Sequence, residues 1–248
     1  MTSTPPPAAQ DTTTIPPTTA TGAVPRQSST PHTTRSRAFT NWVEQVCRED
    51  AGARSALRSG LRKNLDSVPR MHRLVAPWLP EQRSEDVERA YYAVAAMIAA
   101  QPRSALLAPD HAVTGPGQHQ GQRPSLTRRR RSSLGTAFAI AATEGSAREK
   151  DMRAGTAENR LNLLTRQSVT GIHRHLPASV DYLRSLGVEV DWAQLLGDLG
   201  NWRKHSGRIS RTWLQDFYRL LNNDAAQQAD DADEKELRAD SAAGIAST

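Results

Sequence analysis

The sequence predicts an all-α fold of two small helical-bundle units with disordered tails at both ends, and three observations carry that expectation. Apolar residues recur at three- and four-residue spacing wherever a stripe can be measured. No segment sustains the alternation of a half-buried strand, since Val188-Glu189-Val190 is too short. Capping and helix-stopping residues punctuate the stripes.

Residues 1–37 read as a disordered Pro/Thr-rich tail. Their first 34 positions hold seven Pro, eleven Thr, three Ser and no aromatic residue, too little apolar surface to offset the entropy of ordering. An N-terminal helical unit is expected over 38–107, with helices at 39–48, 54–65 and 68–76. Its strongest stripe starts behind Ser84 as N-cap, with Glu85 and Asp86 in the first turn. It runs through Val87, Ala90, Tyr91, Val94, Ala95 and Ile98 and stops before Pro102. Residues 108–127 carry three Pro and three Gly and read as a flexible loop between the two units.

The C-terminal helical unit is expected over 128–223. Helices are predicted at 134–143, 157–166, 169–175 and 178–186, the last closed by Gly187 as a left-handed C-cap. Another begins behind Asp191 and buries Trp192, Leu195, Leu196 and Leu199. The final one begins behind Ser210 and buries Trp213, Leu214, Phe217, Leu220 and Leu221. Residues 224–248, with seven acids against Lys235 and Arg238, read as an acidic disordered tail.

The charge is unevenly placed. The whole chain is +6, the first 34 residues are neutral and the last 25 are −5, which leaves +11 on residues 35–223. Of 32 basic residues 28 are Arg, whose guanidinium fork suits phosphate oxygens. A compact region with that surplus favours a polyanionic partner.

Several classes drop out. Cys47 alone permits no intrachain disulfide and no cysteine-rich zinc site. The longest apolar run, 90–100, falls short of the ~20 residues of a membrane span. The first residues show neither the basic nor the apolar region of a secretory leader, so a soluble, cytoplasmic protein is expected, without membrane association.

No catalytic constellation stands out. His173 and His175 are two apart, about 200° around a helix, and cannot share a metal; they read as surface histidines. Cys47 falls on an apolar face with Val43 and Val46 and reads as a buried structural thiol. Glu49-Asp50 and Glu85-Asp86 sit at helix ends, where the dipole accounts for them. Phosphate-binding glycine loops, zinc-ligand spacing and a nucleophile elbow are lacking. The expectation is a protein that is not an enzyme and uses no cofactor or metal.

The basic residues form the more informative pattern. Arg58, Arg62 and Lys63 flank one helix face, and Arg70 and Arg73 lie a turn apart on the next. Arg128–Arg131 precede Ser132-Ser133, where cations and free N–H groups of a helix start converge. Arg160, Arg166 and Arg174 extend the set, and Arg203-Lys204 follow Trp202. Together they suggest a phosphate-tracking groove. Aromatic residues make up only 5%, and Trp202 is assigned to the core, which favours holding the sugar-phosphate backbone over base stacking.

Ser133-Leu134-Gly135-Thr136-Ala137-Phe138-Ala139, Glu158-Asn159-Arg160-Leu161, Asp191-Trp192 with Leu195-Leu196 and Leu199, Trp202-Arg203-Lys204 and Trp213-Leu214-Gln215-Asp216-Phe217-Tyr218 follow one another in the chain. Upstream stand Ala56-Leu57-Arg58 and Met71-His72-Arg73-Leu74-Val75-Ala76-Pro77. In this order they resemble the CasB family, the small subunit of the type I-E CRISPR effector complex, Cascade, over residues 38–222.

The resemblance implies an all-helical, non-catalytic subunit present as two copies beside crRNA-containing Cascade subunits. Its basic face would bind the displaced non-target single-stranded DNA and stabilise the R-loop, before a separate helicase-nuclease is recruited. The family's contact positions fall here on Arg58, Arg83, Arg160, Arg166 and Lys204, with Arg203 beside the last. Pro177-Ala178 stand where the family usually has Arg, which leaves one contact either absent or moved to Arg174. From the residues alone, two other classes stay open: a helix-turn-helix transcriptional regulator, which Val169-Thr170-Gly171-Ile172 superficially allows, and a scaffold with no nucleic-acid contact.

Overall fold

The computed structural model describes residues 31–103, 106, 132–143 and 154–245, with side chains described over 34–235 of that range. The expectations for residues 1–30, for the 108–127 loop and for Arg128–Arg131 lie outside the described residues. The helices are α1 (Pro31–Glu49), α2 (Ala51–Arg58), α3 (Pro69–Val75), α4 (Glu85–Ala100), α5 (Leu134–Thr143), α6 (Ala154–Thr165), α7 (Val169–Ser185), α8 (Trp192–Gly200) and α9 (Trp202–Ile245). Single 3-10 turns occupy Leu65–Ser67 and Ala76–Trp78. Among the described residues there is no strand, and the all-α expectation holds.

Local chemistry sets most helix starts. The Asp50 carboxylate accepts from the N–H groups of Gly52 and Ala53 at 2.7 and 2.9 Å, opening α2. Ser84 accepts from Val87 N–H at 3.4 Å, Ser133 from Thr136 N–H at 3.3 Å, Ser168 from Gly171 N–H at 3.2 Å and Asp191 from Gln194 N–H at 3.0 Å. The far end of α4 is closed by Arg54, which donates to the carbonyls of Ala99 at 3.1 Å and Gln101 at 2.8 Å.

α4 is the central element, buried on nearly every side from Ala90 to Ala99. α1 lays Phe39, Val43 and Cys47 against it, with the Phe39 and Tyr91 rings 4.7 Å apart. α8 covers α4 and α1 from the other part of the chain, and α9 packs along α5. Buried residues on both sides of the 108–127 segment belong to one connected core, from Phe39 to Phe217. The α5–α9 contact is backbone to backbone: a Cβ at Gly135 would stand 1.8 Å from the Trp213 carbonyl oxygen, so only glycine fits. Burial pushes the Cys47 thiol up to about 11, in keeping with a structural thiol.

Five boundaries differ from the sequence expectation, the first at α2, which spans Ala51–Arg58 where a helix over 54–65 was expected. α1 begins at Pro31, so residues 31–37 are helical, and Ser36 is already buried ahead of Phe39. α7 is continuous through Pro177, where a break was expected. The proline removes one helical N–H, but Leu176, Pro177 and Val180 are all buried, and that packing outweighs the missing bond. α9 starts at Trp202, bends at His205 (φ −135°, ψ 21°) and continues; Ser210 is no cap, and its hydroxyl donates to the Thr165 carbonyl at 3.1 Å. Finally, the helix does not stop at 223 but runs to Ile245, its side chains exposed over 225–235. Alanine, Gln, Glu and Lys are strong helix formers, and Gln228–Asp224 and Gln227–Asp231 pair one turn apart at 2.6 and 3.0 Å.

Candidate nucleic-acid interface

α7 is the element around which the predicted cations gather. The N–H of the Trp202 indole donates to the Gln167 carbonyl at 3.0 Å and Ser210 to that of Thr165, so the α6–α7 corner is pinned to the start of α9. Arg166 therefore stands at this corner, exposed, with Arg203 and Lys204 at the head of the neighbouring helix. Arg174 is exposed further along α7. Seven residues on, Asp181 lies about 20° from it in azimuth and ~10 Å along the axis, so both share one helix face. Asp181 in turn lines a cleft with Arg58 and Arg62, which brings the end of α2 to the lower end of the same edge.

The remaining predicted residues are engaged by the protein itself. Arg203 makes a two-pronged pair with Asp86 at 2.5 and 2.9 Å, joining α9 to the first turn of α4. That bond holds the Asp86 carboxyl below its ordinary range and raises the Arg203 guanidinium. The Arg160 guanidinium carbon stands over the Tyr182 ring, 4.4 Å from its centre, on one flank of α7. Arg83 pairs with Glu88 at 3.1 Å and donates to the Pro80 carbonyl at 3.2 Å. Glu88 is two residues from Asp86, about 200° around α4, so Arg83 is on the other side of that helix from the Arg203 clamp.

Of the seven predicted residues, the structure thus brings Arg166, Arg203 and Lys204 together at the upper end of α7, with Arg174 further along the helix and Arg58 at its lower end. Arg58, Arg166, Arg174 and Lys204 are exposed and make no ion pair among the described residues. Such cations, on a rigid element and without a carboxylate to satisfy them, can take phosphate oxygens at no cost to the fold.

Sequence reasoning placed His173 on the surface, and the structure corrects this. His173 packs beside Arg89 and Asp86, its Nε2 buried without a hydrogen-bond partner, and desolvation lowers its pKa to about 4. It is a largely buried, neutral side chain near Asp86, the carboxylate that Arg203 holds. Gln101 and Arg184, which also face the cleft at Arg58, were not anticipated. Gln101 closes the end of α4 and Arg184 sits on α7, and no spacing in the sequence links them. Burial also lowers the Arg184 guanidinium.

Among the described residues no group of His, Cys, Asp or Glu could hold a metal ion, and no helix is long and apolar enough to cross a membrane.

Comparison with known proteins agrees with this architecture. No curated protein sequence matches the chain. A chain of a CRISPR RNA-guided surveillance complex is 36% identical, with a TM-score of 0.64 over 80% of this chain and 99% of its own. A second such complex, in a pre-nicking state, gives 36% identity and a TM-score of 0.64 over 79% of this chain and 98% of its own. CasB of M. ruber is similar in fold alone, with 19% identity and a TM-score of 0.56 over 77% of this chain and 97% of its own. The model of the CRISPR-associated protein Cse2 family matches residues 53–218, which take in the whole of the α4–α7–α9 arrangement through Tyr218, and the chain belongs to that family.

Proposed function

We propose that this protein is the small, non-catalytic subunit of a crRNA-guided surveillance complex of the Cascade type, and that the α7 edge holds the displaced non-target DNA strand. Its partners in this reading are the crRNA-containing subunits, the single strand and a second copy of itself. One observation carries the proposal: Arg58, Arg166, Arg174 and Lys204 flank a single helix and lack carboxylate partners among the described residues. Replacing a DNA duplex by an RNA–DNA hybrid is nearly balanced in free energy, so modest contacts to the expelled strand tip the balance. Cations aimed at phosphates supply those contacts without reading sequence.

The test is charge reversal at Arg174 and Lys204 within the assembled complex, with R-loop lifetime measured for several unrelated guides. The lifetime is expected to shorten by a similar factor for every guide. A loss confined to particular target sequences, or none at all, refutes the proposal.

A further inference from the structure

Arg58 at the end of α2, Arg62 in the turn that follows, Gln101 at the foot of α4, and Pro177, Asp181 and Arg184 on α7 enclose a cleft of about 140 Å³. Three guanidinium groups face one carboxylate there. Two polar atoms of the lining are buried without a hydrogen-bond partner, Gln101 Oε1 and Arg184 Nε. Gln101 is only 3% exposed, and its orientation is fixed: Nε2 donates to the Ile98 carbonyl at 3.2 Å, and the flipped amide would set oxygen against oxygen. Arg184 is held in place by a bond from Nη1 to the Val188 carbonyl at 3.0 Å. Both residues line the cleft, and a buried acceptor and a buried donor without partners are costly unless a ligand that reaches them supplies the complementary pair. The backbone adds a third sign. Arg62 has φ 61°, a left-handed conformation that glycine adopts freely and arginine does not, so a cation is kept there against local strain.

We propose that this cleft receives one nucleotide of a single strand, with its phosphate on Arg58 and Arg62 and the edge of its base on Gln101 Oε1 and Arg184 Nε. The inference rests on the strand-holding reading above and adds a base contact to it. Each nucleobase carries a donor beside an acceptor on its exposed edge, so this pair of atoms takes any base without selecting a sequence. The cleft is small against the ~300–1,000 Å³ of pockets for larger organic ligands, which fits a single planar group.

The test uses the full chain and two oligomers of equal length and charge, one of deoxythymidine and one wholly abasic, with binding followed by fluorescence anisotropy. The wild type is expected to bind the thymidine oligomer roughly tenfold more tightly than the abasic one. Gln101→Met keeps the side-chain volume, and the Ile98 carbonyl retains its bond from the Gln101 backbone N–H at 3.2 Å. This variant should abolish the tenfold preference and leave abasic binding unchanged. Arg184→Lys, which keeps the charge but loses Nε, should do the same and stands in should Gln101→Met fail to fold. Equal wild-type binding of both oligomers, or a preference that survives both variants, overturns the cleft assignment alone. Binding of neither oligomer at low salt overturns it together with the strand-holding reading. Free thymidine monophosphate bound as tightly as the oligomer also overturns it, because the site would then serve a free nucleotide.

Discussion

The seam between α5 and α9 and the outer edge of α7 are built from opposite materials. At the seam every group is spoken for: Gly135 lies against the Trp213 backbone, Trp202 and Trp213 pack with ring centres 5.1 Å apart, and the Trp213 indole donates to Asp198 at 2.8 Å. At the edge, Arg58, Arg166, Arg174 and Lys204 are exposed and make no ion pair among the described residues. Arg203 stands between the two regimes, a cation next to Lys204 that the fold has already taken through Asp86. Sequence proximity in a basic cluster is therefore a poor guide to which members are available to a ligand; the partner across the fold decides.

The largest expected effect lies at the seam. Gly135→Ala forces a methyl group into the Trp213 carbonyl and should cost at least ~2–3 kcal/mol of stability, read as a lower urea midpoint, with no bearing on nucleic-acid affinity beyond the loss of folded protein. An unchanged midpoint would show that the two helices do not touch as described.

A second prediction concerns two buried groups of opposite sign. Asp198, held by Trp213 and by Gln194 at 2.9 Å, has its carboxyl raised by burial to about 6. The unfolded chain releases that proton near 4, so the folded state binds it more strongly in between and stability falls as pH rises through about 4 to 6. His173, lowered to about 4 by burial and by Arg89 and opposed by Asp86, works the other way. The unfolded chain takes up its proton near 6.5, so stability falls as pH drops from there towards 4. The two slopes oppose each other, and the wild-type profile should be nearly flat across the window. Asp198→Asn should unmask an acid-side loss on the order of 2 kcal/mol, and His173→Gln should leave a decline with rising pH. Parallel profiles for all three proteins in pH-resolved urea melts would contradict this.

Much of the fold was legible because its signals are local. The α4 and α8 stripes, with Ser84 and Asp191 as caps, follow from spacing and from the hydrogen bonds that a helix start requires. Several of the misses share one cause, contacts distant in sequence, whereas the run of α9 past 223 rests on local helix formers and pairs one turn apart. Pro177 reads as a helix stop until its burial is known, and Ser210 reads as a cap until the Thr165 carbonyl takes its proton. The same holds at the interface. The net charge and the Arg-rich clusters were plain, whereas the capture of Arg203 by Asp86, 117 positions away, leaves no mark in the sequence. His173 was misplaced because its neighbours on α4 cannot be read from its own helix. Arg62 and Arg58 were visible as a pair, but Gln101 and Arg184 joined them only when α4 and α7 met.

The sharpest measurement is the dependence of single-strand affinity on salt, compared between Arg203→Gln and the double variant Arg166→Gln, Arg174→Gln. Each phosphate contact to a single strand contributes about 0.7 to the slope of log affinity against log salt concentration. The double variant should flatten the slope by about 0.7 per lost contact and leave the melting temperature unchanged. Arg203→Gln, which breaks the Asp86 clamp, should lower the melting temperature and leave the slope as it is. An unchanged slope in the double variant, or equal flattening by Arg203→Gln, would contradict a phosphate-holding edge made of the cations that the fold leaves open.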